Sequence, residues 1–202
     1  MPTVVVPRER VGRWVENFEA RHGSTELGVA DGHLLGRAVD GSMFEAEAPF
    51  ERRIDQARVE ALVAACEPPD DWGVLLVRKG GFAVARLAGD RTVASKVGQR
   101  HVQGRTKAGG QSQQRFARRR DNQARAAYEA AADHAARIVA GAPLLVVGGD
   151  HAAVTAVLED PRLARTAAAV RGPFLAVPDP RRGVLESAIT DAGSVRISVT
   201  NA

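Results

Sequence analysis

A long amphipathic helix is the feature that most constrains how this chain can fold. With an advance of about 100° per residue, residues from about 112 to 140 separate into an apolar side and an arginine side. The apolar side collects Phe116, Ala124, Ala127, Tyr128, Ala131, Ala135, Ile138 and Val139, and the other side collects Arg115, Arg118, Arg119 and Arg125. Gly141 and Pro143 follow in the usual arrangement for a helix end. The pattern predicts a helix that packs on a sheet through alanines and turns its arginines to solvent.

A Gly-Gly-Gln tripeptide, Gly109-Gly110-Gln111, directly precedes this helix. Two glycines let the backbone turn sharply and approach a ligand closely. The glutamine amide donates and accepts hydrogen bonds and does not ionise. The segment is therefore suited to entering a narrow polar site, with Gly109, Gly110 and Gln111 as its candidate functional residues.

Positive charge is concentrated around the tripeptide. Between Arg91 and Arg120 there are nine Lys or Arg residues and no Asp or Glu, while the rest of the chain has 19 basic and 24 acidic residues. Such a stripe is typical of a nucleic-acid-binding surface. A solvated face that only favours solubility is the alternative, but such faces usually mix both signs. The candidate RNA-binding residues are Lys96, Arg100, Arg105, Lys107, Arg115, Arg118 and Arg119.

The first 70 residues predict a smaller helix and strand segment. Val11, Trp14, Val15 and Phe18 have helical spacing, and Asp31-Gly32 and Asp40-Gly41 are hairpin turn signals between short strands. A second helix is predicted from Ile54 to Ala65. Pro68-Pro69 breaks it and is the best candidate boundary, so we expect residues 1–70 as an N-terminal segment, integral to the same domain or separate from it, and 71–202 as the main domain.

The order of elements after residue 70 indicates the fold class. Three antiparallel strands are predicted first, then the long helix and three further strands alternating with helices. The predicted strands are Trp72 to Lys79, Phe82 to Leu87, Thr92 to about Val102, Leu144 to Val147, Phe174 to Val177 and Val195 to Val199. This order predicts a mixed α/β fold with a ribonuclease H-like layout.

Other kinds of site find little support in the sequence. Ribonuclease H-like nucleases need clustered carboxylates for two metals, yet Val74 to Val77 carries no acid, and Asp150 is more simply a helix cap. No Cys/His spacing predicts zinc, no glycine pattern predicts a nucleotide cofactor, and Ser112 has no recognisable His or Asp partners. We therefore expect neither metal nor cofactor. The single cysteine, Cys66, fits a reducing cytoplasm, and no apolar run is long enough to span a bilayer.

The segment Gly109-Gly110-Gln111-Ser112, followed by Arg115-Phe116-Ala117-Arg118-Arg119-Arg120, resembles the middle domain of the archaeal and eukaryotic class-1 peptide-chain release factor. That domain carries the same tetrapeptide and then an Arg-Phe-Ala-Arg run that opens a long helix. The resemblance covers roughly residues 72 to 200. The chain departs from the release factor because residues 1 to 70 show no stop-codon-reading motif and because it ends at Ala202. It is thus similar to the stand-alone, release-factor-like peptidyl-tRNA hydrolases of ribosome rescue in high-GC bacteria.

The resemblance implies a codon-independent hydrolase that frees nascent chains from tRNA on stalled or split ribosomes. Its partners would be the large ribosomal subunit, ribosomal RNA and peptidyl-tRNA, and we expect a cytoplasmic monomer. A glutamine cannot be a general base at neutral pH, so Gln111 would position water at the ester. Two alternatives stay open, a nuclease that cuts tRNA near its 3′ CCA end and a ribosome-associated module that binds RNA without catalysis.

Overall fold

The computed structural model describes residues 2–99 and 111–202, and along residues 111–124 it describes only the helical backbone. The chain forms two compact units, Met1–Pro68 with Ile189–Ala202, and Pro69–Ala188. The described strands are β1 Thr3–Val6, β2 Thr25–Ala30, β3 His33–Ala38, β4 Met43–Glu47, β5 Trp72–Arg78, β6 Gly81–Ala88, β7 Arg91–Gln99, β8 Leu145–Gly149 and β9 Val195–Thr200. The described helices are α1 Val11–His22, α2 Val59–Ala65, α3 Gln111–Ile138, α4 His151–Leu158, α5 Ala164–Ala168 and α6 Arg182–Ala192.

The first unit contains an antiparallel sheet in the order β1-β9-β4-β3-β2. The turn from β2 to β3 uses Asp31 and Gly32, both at positive φ (53° and 83°), which is the backbone that a tight hairpin requires. Gly41 in the next turn also has a positive φ of 92°. Both hairpins predicted from the Asp-Gly pairs are therefore confirmed.

An aromatic cluster forms the centre of the first unit. Phe44 packs edge-on against Trp14 and Phe18 of α1, with ring centroids 5.2 and 5.1 Å apart. Edge-to-face contacts of this kind add to the free energy gained by burying the rings. Gly36 makes room for them, because a Cβ at that position would overlap the Phe44 ring. The predicted helix at Val11, Trp14, Val15 and Phe18 is confirmed as α1, and Val11, Val15 and Phe18 are buried.

The second unit contains a mixed sheet in the order β7-β6-β5-β8. β5, β6 and β7 form an antiparallel meander, and β8 returns parallel to β5 after α3. Asp150 caps α4 by accepting a hydrogen bond from the Ala153 N–H at 3.1 Å. The mixed α/β class, the three-strand start, a further strand after the long helix and the capping role of Asp150 were all predicted, and all are confirmed.

Two predicted elements differ in extent from the observed ones. The second helix begins at Val59 and not near Ile54, because the Ile54 N–H donates to the Gly32 carbonyl oxygen at 2.9 Å and holds that stretch outside the helix. The predicted strand from Phe174 to Val177 is reduced to one bridge between Gly148 and Leu175. Pro173 and Pro178 flank it, and proline cannot donate to a ladder.

The last strand joins the first sheet and not the second. β9 lies between β1 and β4, and its alternate residues Val195 and Ile197 are fully buried in the core of the first unit. The ribonuclease H-like order is therefore observed from β5 to β8 and is not continued by β9.

The predicted functional division into 1–70 and 71–202 stays a prediction.

We expect Gly36→Ala to destabilise the fold, because the added methyl group meets the buried Phe44 ring. Overpacking of this kind costs about 1–3 kcal/mol of unfolding free energy. Gly28→Ala is the matched control on the neighbouring strand, since a Cβ there has nothing within 4 Å. Chemical denaturation of the two variants measures the difference, and equal midpoints would contradict the packing described for Gly36.

Candidate functional site

Helix α3 carries the motif glutamine at its first residue. The helix runs from Gln111 to Ile138, 28 residues, which corresponds to about 42 Å. Gln111 is thus roughly 24 Å along the helix from Ala127, the first of its residues described as buried. The contacts that hold the second half of α3 therefore also determine the direction in which the helix extends to Gln111.

Small side chains fix the second half of α3 to the sheet. Ala131 and Ala135 of α3, and Val139 directly after its last residue, are fully buried and pack with Phe82 and Val84 of β6. Arg125 is exposed on the other side of the helix. The separation into an alanine side and an arginine side is therefore confirmed for the described residues of α3 from 125 onward.

Two polar side chains satisfy carbonyl groups at the end of α3. The Thr166 hydroxyl donates to the Val139 carbonyl oxygen at 3.2 Å and accepts from the Gly141 N–H at 3.0 Å, and this side chain is fully buried. Arg86 of β6 donates to the Ala140 carbonyl oxygen at 3.3 Å. The last carbonyls of a helix lack partners within the helix. By donating to such carbonyls, Thr166 and Arg86 hold the C-terminal end of α3 in position.

Arg86 is itself held in place by Asp71. The two side chains form a bidentate pair at 2.9 and 2.8 Å. The hydrogen bonds that Arg86 donates to the carboxylate hold the pKa of Asp71 below its ordinary value. A fork of two parallel hydrogen bonds fixes the guanidinium plane, and this orients Arg86 toward the end of α3. We call the alanine contacts, Thr166 and Arg86 together the α3 anchor.

Lys96 is the one predicted RNA-binding side chain within the described residues, and it is exposed on β7. Its strand position is opposite Val84 of β6, whose side chain packs toward α3. Lys96 lies close enough to His134 to help lower the pKa of that imidazole, after the larger effect of burial and together with Arg137. His134 also stacks on Phe82 with a centroid distance of 5.4 Å. Lys96 thus lies beside the second half of α3, far along the helix from Gln111.

The remaining predicted site residues have no described side chains. Arg100, Arg105, Lys107, Gly109 and Gly110 lie outside the described residues. Gln111, Arg115, Arg118 and Arg119 belong to the part of α3 that is described as backbone only. Their roles in catalysis and RNA binding stay predictions.

Histidines elsewhere make local contacts. His22 bonds Asp40 at 2.8 Å, and His33 bonds Glu45 at 2.7 Å. His151 stacks on Phe174 with ring centroids 3.6 Å apart. Within residues 2–99 and 125–202, no group of three or more His, Cys, Asp or Glu side chains could hold a metal ion. The described helices also include none long and apolar enough to cross a membrane.

The fold, the long helix and its initial glutamine together define a release-factor-like domain. Residues 70–198 match the family described as the Actinobacteria/Chloroflexi VLRF1 release factor, and the chain belongs to that family.

The solved structures that resemble the chain include two at low sequence identity. An archaeal translation termination factor, aRF1, is 12% identical with a TM-score of 0.45, and the match covers 94% of this chain and 63% of that one. Pelota from Archaeoglobus fulgidus is 11% identical with a TM-score of 0.29, covering 94% and 62%. The chain therefore spans less than two thirds of either protein. No curated protein matches it in sequence.

We expect Thr166→Val to loosen the α3 anchor. The substitution keeps the shape of the side chain and leaves the Gly141 N–H without its partner. It also removes one of the two donors to the Val139 carbonyl, which keeps the Ala142 N–H at 3.0 Å. An unsatisfied buried polar group costs about 1–3 kcal/mol, so the free energy of unfolding in urea should fall by that amount. Thr155→Val, at an exposed position of α4, is the matched control with an expected change within about 0.5 kcal/mol. Equal stability of the two variants would contradict the role given to Thr166.

Proposed function

We propose that this chain is a codon-independent peptidyl-tRNA hydrolase that frees nascent chains on stalled or split ribosomes in the cytoplasm. The observation that carries the proposal is the position of Gln111 as the first residue of a helix about 42 Å long, whose other end is fixed in the domain core. Membership of a release-factor family supports the same reading. The large subunit with its peptidyl-tRNA would be the substrate complex, and the protein would act as a monomer.

The proposed chemistry is attack by water on the ester between peptide and tRNA. The bond between the carbonyl carbon and the ribose oxygen breaks. The peptide leaves as a carboxylic acid, and the ribose oxygen takes up a proton. A glutamine amide does not ionise, so Gln111 would align the water without removing its proton. Helix N-termini have unpaired N–H groups and a positive dipole end. At the start of α3 these would favour the negative charge that develops on the ester oxygen.

Electrostatic attraction would supply the affinity for RNA. Residues 91–120 contain nine basic and no acidic residues, and contacts of Lys and Arg with phosphates dominate affinity for nucleic acids. We propose Arg100, Arg105 and Lys107 before the helix and Arg115, Arg118 and Arg119 within it as phosphate-binding residues. Lys96 would contact RNA near the second half of α3. Binding and catalysis would thus depend on different side chains.

We expect Gln111→Ala to abolish peptide release while ribosome binding stays within a few-fold of wild type. One neutral amide contributes little to an affinity dominated by charge, whereas a lost group that stabilises the transition state costs on the order of 10²–10³-fold in rate. Single-turnover release from large subunits carrying peptidyl-tRNA gives the rate, and sedimentation with the subunits gives the binding.

Gln113→Ala is the matched control, because it removes the same amide two positions along the sequence. It should release peptide at nearly the wild-type rate. A Gln111→Ala variant that loses binding and release in equal measure would contradict the catalytic role and favour simple docking.

A further inference from the structure

The outer edge of the first sheet has unpaired backbone groups. β1 is at the end of the strand order and pairs on one side with β9. The Val199 N–H donates to the Pro2 carbonyl oxygen at 3.1 Å, so the hydrogen-bonded pairs of this antiparallel ladder continue at Val4 and Val6. The N–H and C=O groups of Thr3 and Val5 therefore point away from the sheet.

This edge is apolar and uncharged. The strand reads Thr-Val-Val-Val, with Val4 41% and Val5 46% exposed. Sheet edges in monomeric proteins are commonly protected by charged side chains or bulges. β7, at the edge of the other sheet, has both kinds of protection, with Arg91 and Lys96 exposed and an irregularity opposite Arg86/Leu87. β1 has neither within its four residues.

A groove of about 660 Å³ runs along this edge, with β1 as one wall and α1 as the other. The other side is lined by Arg13, Trp14 and Asn17 of α1 and by Arg10 directly before the helix, at the spacing of one helix face. Arg10 and Arg13 are exposed, and neither forms an ion pair with a residue that the structure describes. Glu9 is the single carboxylate among the lining residues.

We propose that this groove binds an extended peptide segment of a partner protein, which adds to β1 as a further strand and has acidic residues toward α1. An open strand edge beside a helix suits strand addition, in which main-chain hydrogen bonds provide affinity and side-chain pockets provide specificity. Thr3 and Val5 supply the hydrogen bonds, Val4 and the half-buried Trp14 supply apolar contact, and the two guanidinium groups select carboxylates. This inference does not rest on the proposed hydrolase activity.

A second copy of the chain fits the groove less well than an acidic peptide does. Pairing of β1 with its own copy would bring the arginines of both copies to one interface, and like charges there oppose association. The strand has four residues and lies between Pro2 and Pro7, so self-pairing would also bury little area. RNA would gain nothing from the exposed valines.

The test uses the full chain and the terminally blocked peptide Val-Glu-Val-Glu-Val-Glu-Val. Trp14 provides the signal, because it lines the groove, while Trp72, the other tryptophan, is 2% exposed in the second unit. We expect saturable binding, with the backbone amides of Thr3 and Val5 shifting in NMR spectra. The Val-Lys-Val-Lys-Val-Lys-Val peptide and an N-methylated Val-Glu peptide should not bind at the same concentrations.

Three variants separate strand addition from general charge attraction. Val5→Pro removes an outward N–H without removing a bond to β9, so it should abolish binding and keep the fold, while Val5→Thr should bind normally. Arg10→Glu with Arg13→Glu should weaken binding about tenfold or more. Equal binding of the Glu and Lys peptides, unchanged binding by Val5→Pro, concentration-dependent dimers formed through β1, or preference for single-stranded RNA would each overturn the proposal. Since these assays need no ribosome, their failure is distinct from a failure of peptide release.

Discussion

The close packing of alanines between α3 and β6 is the contact on which the rest of the second unit depends. Ala131 and Ala135 are fully buried, so the helix backbone approaches the sheet closely. A larger side chain there would push the helix outward, because protein cores are packed too densely to absorb added volume. The alanine side of the helix thus determines how far α3 lies from the sheet along its second half.

Polar contacts then fix the helix along its axis. Apolar packing is not directional, so alanines alone would tolerate small shifts of α3. Thr166 and Arg86 bind particular carbonyls, those of Val139 and Ala140. Arg86 in turn is fixed by two hydrogen bonds to Asp71. The anchor therefore combines a packing contact that sets distance with hydrogen bonds that set position, and both act at the end of α3 opposite to Gln111.

A helix held at the end opposite to Gln111 agrees with the proposal that catalysis and RNA binding depend on different residues. The chemistry we propose needs one amide aligned to within a fraction of an ångström, since small errors in the placement of a reacting group cost large factors in rate. The residues proposed to bind RNA need only a positive charge and a side chain long enough to contact a phosphate. A helix fixed at one end, with its glutamine at the other, allows the core to be stabilised without placing core residues in the RNA site.

Patterns within a short stretch of sequence predicted much of the structure. The spacing of Ala127, Ala131 and Ala135 identified the buried side of α3, and the Asp-Gly pairs identified two hairpins, because these signals depend on local backbone geometry. The Gly-Gly-Gln candidate site also rests on adjacent residues, and its role stays a prediction. The contacts of Thr166 and Arg86 with α3 were not predicted, since they join residues 27 and 54 positions apart.

Long-range pairing also determines where β9 lies. Its alternating valine and isoleucine predicted a strand and could not indicate which sheet the strand joins. β1 was missed because four exposed or edge residues provide no periodic signal. Lys96 was correctly expected on a strand, but its position beside His134 follows from the register of β7 on β6, which the sequence alone does not contain.

The proposed ester hydrolysis is best tested by identifying which bond of the peptidyl-tRNA is broken. Purified large subunits carrying peptidyl-tRNA would be incubated with the protein in ¹⁸O-labelled water, and both products would be analysed by mass. Ester hydrolysis would give tRNA with an intact 3′ CCA end and a free ribose hydroxyl, together with a peptide that has gained one ¹⁸O atom in its terminal carboxylate. A tRNA shortened at its 3′ end, with the peptide still attached to the nucleotide fragment, would contradict ester hydrolysis, as would stable binding without any release.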